Sequence, residues 1–459
     1  MTIINFDATN PSMGTERIDQ PVDELDMQVG EFVLERPQLH SIALEGILKE
    51  IADAACANTE AVPITVAVHT LALFSAMLGR TAYIQIGDQC RHLRMNSLIV
   101  GPTSKGRKGT STDNPNQLFS IVHRSPELPI FMSAEPLKKL GGLATGEGLI
   151  SLVRDDYVDR TGEVHEGVKD KRLFVDVSEF AAVLAQSRKE NSSISMVIRD
   201  AFDGCVLVNP TKTSYTQSTG SHIVIVGSIP ETELVKLLSN TDITNGLANR
   251  FPMFYAVREK LVANPSRTDP ALMECLAARL VKALSNAVTL GEVPMTPAAQ
   301  AKWADIYIEL NQRTYPPAVA SLMARVEVYA RIFSTLLALI NCESVVDCKH
   351  LDAALAWINY WEQSVMFVFS NSQQSEQAEL HKVIDAKVLQ GLRELGGKNV
   401  THTDLTKRLT HNGKSKTING KLIQVAIERL QRASPSPVTV TRLDTTGRPA
   451  NIYSLTNRE

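Results

Sequence analysis

Long apolar runs are missing from this chain of 459 residues. No uninterrupted stretch of about 18 apolar residues occurs, so no membrane-spanning helix is expected. Cysteine is sparse: Cys56, Cys90, Cys205, Cys275, Cys342 and Cys348 are scattered, mostly among apolar neighbours. Such usage argues against a disulfide framework and suits a reducing cytoplasm. The opening MTIINFDATNPSMGTERID lacks a basic segment followed by an apolar one, so a secretory leader is not expected. A fixed-period repeat is absent, as is any local Ser/His/Asp or Cys/His signature. Cys342, Cys348 and His350 lie close in sequence but have no fourth ligand nearby, which speaks against zinc.

What is present is an ordinary globular composition, 44% hydrophobic and 21% charged. The length is too great for one core and implies two or three domains. The net charge of −3 hides an asymmetry. Residues 381–459 carry 14 Lys and Arg against 6 Asp and Glu, whereas the first 36 residues carry eight acids against Arg17 and Arg36. A basic tail on an acidic body points to a nucleic-acid partner at that end, or to a merely solvated basic face.

The pattern divides the chain into six parts. Residues 1–37 are an acidic, aperiodic lead-in, expected to be disordered. Residues 38–80 have helical apolar spacing in two blocks, with Pro63 opening the second. Residues 81–260 alternate apolar strands (TAYIQIG, NSLIVG, RLFVDV, SHIVIVGSI, RFPMFYAV) with helices, which predicts an α/β domain with a largely parallel sheet. Residues 261–370 read as helices throughout, 371–380 as a polar linker, and 381–459 as a separate module.

Chemistry is concentrated in LIVGPTSKGRKGTS, Leu98 to Ser111. A strand that ends in a glycine-rich turn and re-enters a helix aims free backbone N–H groups at one point. A lysine there neutralises outer phosphates and a hydroxyl holds Mg²⁺. The fit to G-x-x-x-x-G-K-[ST] is irregular. Laid on Gly101 the pattern places Gly106 correctly, but Arg107 takes the lysine slot. Slid by one, it places Lys108 there, with Gly109 and Thr110 following. The second alignment is preferred. It makes Lys108 the phosphate lysine and Thr110 the Mg²⁺ ligand with Ser111 as its alternate; Gly101, Thr103, Ser104, Gly106, Arg107 and Gly109 form the rest of the cradle. Pro115 is a second irregularity, expected to kink or shorten the helix. The plain alternative is a basic surface turn.

Three further features fit a nucleotide site. The strand RLFVDV ends near Asp176, a carboxylate placed to hold Mg²⁺, with Glu179 three residues on to orient an attacking water. The alternative is a buried strand ending at a solvated acid. SHIVIVGSI would bring Ser228 beside the nucleotide. In NGLANRFPMFY, Arg250 stands between a loop and a buried strand, a costly position without a partner. Its partner is either the phosphate of an adjoining subunit or a carboxylate in an ordinary ion pair.

In this order, VGPTSKGRKGTS, GLATGEGLISLVRD, RLFVDVSEFAAVL, SHIVIVGSIPETEL, TNGLANRF and HLDAALAWINYWEQS resemble a family of P-loop ATPases. Its members are encoded near primases, or fused to primase-polymerases, in plasmids, phages and integrative elements, and are related to RecA-like replicative helicases. The likeness covers roughly residues 40–370. It implies a RecA-like core, ATP with Mg²⁺, ring or filament assembly, a possible primase partner, and the roles given above to Lys108, Thr110, Asp176, Glu179 and Arg250. Relatives often carry a second acid beside the position of Asp176, which leaves open which carboxylate holds the metal.

The tail reads as helix, helix from a Thr403 cap, basic turn, longer helix, and a closing hairpin from VTVTRL to NIYSL. That is the pattern of a winged helix-turn-helix, with Lys414, Lys416, Asn419, Lys421, Arg442 and Arg448 as expected DNA contacts. Winged helices also dock proteins. The combined expectation is an oligomeric ATPase acting on DNA, a replicative helicase or loader of a mobile element. A non-translocating, ATP-controlled DNA-binding regulator or partitioning protein, or a small-molecule kinase, are the alternatives.

Overall fold

The apolar runs read as buried strands form the centre of the molecule. The computed structural model describes residues 35–102, 108–158, 162–210, 215–238, 242, 245–410, 418–443 and 450–456. Five strands, β1 (Ser97–Gly101), β2 (Lys138–Leu140), β3 (Arg172–Val177), β4 (His222–Pro230) and β5 (Met253–Tyr255), form one sheet. Their order is β5-β1-β4-β3-β2 and every pairing is parallel. β1 is buried along its whole length and β4 everywhere but at its last residue, as expected of central strands in a parallel sheet. TAYIQIG does not join them. Ala82–Ile86 pairs with Gln89–His92 and Gly291–Glu292 in a separate small sheet.

Helices cover the sheet. α1 (Gly46–Cys56) packs on α2 (Pro63–Leu78), which lies on β3 and β4. Every residue of α2 from Ile64 to Leu78 is buried, so it is enclosed by protein on all sides. α3 (Lys108–Arg124) packs beside α2. It passes through Pro115 without ending, so of the expected kink or shortening the shortening does not occur; one proline costs a single backbone hydrogen bond, and nine residues of helix follow it before Ser125. α4 (Phe180–Ser187) and α5 (Ile194–Asp203) follow β3 and pack on β4.

The helical half is α6 (Pro270–Ala287), α7 (Val326–Ile340) and α8 (Cys348–Glu394), joined by Pro297–Gln312 and Pro317–Leu322. α8 packs on β5, where Phe254 meets Trp357 edge-on at 5.4 Å, and the Trp357 indole N–H donates to the Ala43 carbonyl at 2.9 Å. One hydrophobic core therefore runs from Ala43 to Val368, across the boundaries drawn at 80 and 260. Residues 371–380, read from composition as a linker, have helical backbone within α8. The stretch contains no Gly or Pro, and Gln, Glu and Ala favour helix.

The end of α8, α9 (His402–Thr410) and α10 (Gly420–Arg432) surround a second core of Ile384, Val388, Leu405, Ile423, Ile427 and Tyr453. It is closed by β6 (Val400–Thr401), β7 (Val438–Leu443) and β8 (Ala450–Leu455), antiparallel in the order β6-β8-β7. The hydroxyl of Thr401 accepts from the Asp404 N–H at 3.1 Å, so the cap of α9 lies two residues before the expected Thr403. No helix among the described residues is long and apolar enough to cross a membrane.

Three histidines are enclosed as neutral rings. Burial pushes His69 down to about 3 and, with the charges of Arg80 and Arg94, His92 to about 4; His222 is lowered well below its ordinary value by burial and Arg94. In the unfolded chain these rings titrate near pH 6.5. The folded state thus binds fewer protons, so stability is full above about pH 6.5 and is lost as the pH falls from there toward the lowered values. Each ring contributes a slope of about 1.4 kcal/mol per pH unit within that window. The urea midpoint is expected to hold steady around pH 7–8 and to drop steeply on acidification to about pH 4.5. A flat midpoint over that range would show that the rings are not held neutral.

Candidate functional site

The loop joins the last residue of β1, Gly101, to the first residue of α3, Lys108. Thr103, Ser104, Gly106 and Arg107 lie outside the described residues. Gly109 and Thr110 are exposed in the first turn of α3. Ser111 differs: it is fully buried and its Oγ accepts the Val62 N–H at 2.9 Å, tying α3 to the start of α2. That oxygen serves helix packing, which leaves Thr110 as the exposed hydroxyl of the turn.

The register of the sheet separates the two acids. Asp176 is level with Val226 and hence with Ser97, the first residue of β1, whereas Gly101 is level with Pro230. Asp176 is therefore set back from the carboxyl edge of the sheet. Its side chain turns toward α2, with Oδ2 3.9 Å from Nε2 of His69, whose ring stands edge-on to Phe174 at 5.3 Å. Beside it, Lys139 Nζ donates to Asn116 Oδ1 of α3 at 2.7 Å. Burial raises the Asp176 carboxyl, opposed by the charge of Lys139, and burial lowers Lys139 itself. Glu179, exposed and directly before α4, stands beyond the end of β3. Of the two, Glu179 is the one presented to solvent past the strand end. Ser228 is buried within β4, level with Ile99.

His69, Asn116 and Lys139 escaped sequence reasoning. Each sits singly within an apolar or polar run, and only the packing of α2 and α3 near β2 and β3 brings them to Asp176.

Arg250 has a partner within its own chain. It is 7% exposed, its guanidinium is paired with Asp203 at the end of α5, and Nη1 donates to the Gly246 carbonyl. Arg91 and Arg325 approach the other Asp203 oxygen at 3.5 Å, and all three guanidinium carbons lie 5.6–6.0 Å from the Phe202 ring centre. Burial opposes ionisation of Asp203, but the hydrogen bond and charge of Arg250, with Arg325 and Arg91, hold its carboxyl below the usual range. Arg250 immediately precedes Phe251 and β5, whose first residue Met253 is level with Leu98. It therefore lies at the amino edge of the sheet, opposite the edge from which the loop departs.

GLATGEGLI forms the short helix Gly146–Ser151, capped by the Thr145 hydroxyl, which accepts the Gly148 N–H at 3.0 Å. His350 Nδ1 accepts the Asp347 N–H in a capping box for α8. No group of three or more metal-binding side chains occurs among the described residues. In the tail, Asn419 caps α10 by accepting the Leu422 N–H at 2.9 Å. Lys421 in its first turn and Arg442 on β7 are exposed. Lys414, Lys416 and Arg448 lie outside the described residues.

No family model matches the chain, and no curated protein is detectably similar to it.

Proposed function

We propose that the chain is a Mg²⁺-dependent ATPase with a RecA-like core and a winged-helix tail, acting on DNA as a replicative helicase or loader of a mobile element. The observation that carries this reading is the position of the loop. From β1 the chain crosses to β2 at one edge, and from β4 it crosses over β1 to β5 on the other side. In open parallel sheets a ligand binds beyond the carboxyl ends of strands where the connections diverge in this way. The loop LIVGPTSKGRKGTS leaves the sheet at that point and enters a 17-residue helix, whose free N–H groups and positive dipole end suit phosphate.

Lys108 would neutralise the outer phosphates. Thr110 and a carboxylate of the β3 end, Glu179 or Asp176, are hard oxygen donors of the kind Mg²⁺ takes alongside phosphate oxygens. Bound there, the ion would offset charge on the phosphates. Glu179, exposed past the strand end, would orient the attacking water. A role for Arg250 toward phosphate is confined to the site of an adjoining copy and requires it to leave Asp203. The tail supports a DNA partner: α10 presents Lys421, the hairpin presents Arg442, and the module carries the basic excess of the chain. The six free cysteines suit the cytoplasm.

The test is the rate of ATP hydrolysis against added single-stranded and duplex DNA, with strand separation followed on a forked substrate. Hydrolysis that needs Mg²⁺, rises several-fold with DNA and opens the fork is expected. DNA-stimulated hydrolysis without opening would favour the ATP-controlled regulator. No hydrolysis under any condition would sink the reading.

A further inference from the structure

A cavity of about 360 Å³ opens at the carboxyl edge of β5. Its walls come from four separate stretches: Arg36 ahead of the first helix, Val62 and Ile64 at the start of α2, Val257 and Glu259 beyond β5, and Tyr360 on α8. Two contacts fix it against both ends of the loop. On one side, Ala256, which precedes Val257, lies so close to Gly101 that a Cβ at Gly101 would stand 2.0 Å from its carbonyl oxygen. On the other, Val62 donates its N–H to Ser111 in the first turn of α3. The chain therefore leaves β1 and re-enters α3 beside this cavity. Another cavity, about 450 Å³ and lined by Arg80, Lys169, Arg172 and His222, lies at the opposite edge, at the amino ends of β3 and β4.

The walls combine aliphatic and aromatic surface with polar groups at the edge. Val62, Ile64 and Val257 supply aliphatic surface. Tyr360 is 6% exposed and its hydroxyl donates to the Tyr255 carbonyl, which fixes the ring in place. Arg36 and Glu259 are exposed, so charge is confined to the rim. Concave apolar sites with a few polar groups at the edge, in this size range, are where small organic ligands are held. Aromatic side chains add stacking geometry to apolar burial.

We propose that this cavity receives the base and ribose of the nucleotide whose phosphates occupy the loop; the assignment rests on the phosphate reading of that loop. Base recognition is then built from α2, the β5 exit and α8, none of which belongs to the phosphate motif. Binding energy from the base is separable from binding energy from the phosphates.

The experiment uses the full chain with Mg²⁺ and two probes, ATP and inorganic tripolyphosphate, which carries the phosphates alone. ATP is expected to bind at least tenfold more tightly. Ile64→Trp and, independently, Val257→Trp fill the cavity from opposite walls. In either variant, with an unchanged melting temperature, ATP affinity should fall to that of tripolyphosphate while tripolyphosphate affinity stays the same. An ATP advantage that survives both substitutions overturns the proposal, as does an equal loss for both probes in folded variants. If neither probe binds the unsubstituted chain, the phosphate reading fails, and the base site fails with it.

Discussion

Lys108→Ala is expected to reduce ATP hydrolysis by at least about a hundredfold and to leave the fold as stable as before, or slightly more so. On the proposed reading, the loss would follow from removing a cation that neutralises the outer phosphates as charge redistributes during transfer. The stability expectation has a separate cause. Lys108 is the first residue of α3, where the helix dipole presents its positive end. A lysine there is locally unfavourable by roughly 0.3–1 kcal/mol, and alanine relieves that repulsion. A residue that weakens its own helix yet supplies activity is the signature of a binding role. The check pairs a steady-state hydrolysis assay with a thermal melt. Full turnover in Lys108→Ala would remove the site assignment; a large drop in melting temperature would show that the lysine is structural.

The second large effect is on stability and falls on Gly101. An added Cβ would lie 2.0 Å from the Ala256 carbonyl oxygen, a backbone atom. Ala256 cannot move aside cheaply, because its N–H donates to the Val100 carbonyl at 2.7 Å and Tyr255 is in register with Val100. Gly101→Ala is therefore expected to cost about 2–3 kcal/mol and Gly101→Val more, read as a lower urea midpoint at unchanged slope. Gly109→Ala provides the contrast. Nothing lies within 4 Å of the Cβ it would add, and the position is helical. The substitution is expected to be neutral, or stabilising by up to about 1 kcal/mol. Equal effects at the two glycines would contradict the packing of β5 on β1. The comparison also separates two meanings of glycine in one motif: Gly101 is required by the neighbouring strand whatever the loop binds.

Much of the fold was legible because period and burial leave marks in sequence. Unbroken apolar runs such as SLIVG and HIVIVG belong to strands covered on both faces, and they became β1 and β4. The two helical blocks before residue 80 and the helix–hairpin pattern of the tail were read from local spacing, turn residues and charge. β2 is not legible in the sequence, because three residues, KKL, carry no periodicity. The continuity of α8 is hidden by the polar composition of residues 371–380, although their helix propensity favours it. The single core from Ala43 to Val368 is not legible in local pattern, because it depends on contacts such as Phe254–Trp357 that join distant segments.

The site divides along the same line. Lys108, Thr110 and Glu179 stand out from local pattern alone, each at the start of the helix that follows a strand. Sequence spacing could not tell that Asp176 would be set back against His69 and near Lys139, that Ser111 would bond the Val62 N–H ahead of α2, or that Arg250 would be held by Asp203. Alternation along β3 gives the face on which an acid points, but its depth beneath the edge is set by register with β4 and β1. A charged side chain chooses its partner only once the chain has packed.

By itself, the sequence determined an α/β core with a parallel sheet, a glycine- and lysine-rich loop after its first strand and a basic tail, because each is encoded in neighbouring residues. The tertiary structure decided the strand order, the level of each acid in the sheet, the partner of Arg250 and the cavity beside the loop. Those depend on contacts between residues tens to hundreds of positions apart, which local pattern does not carry.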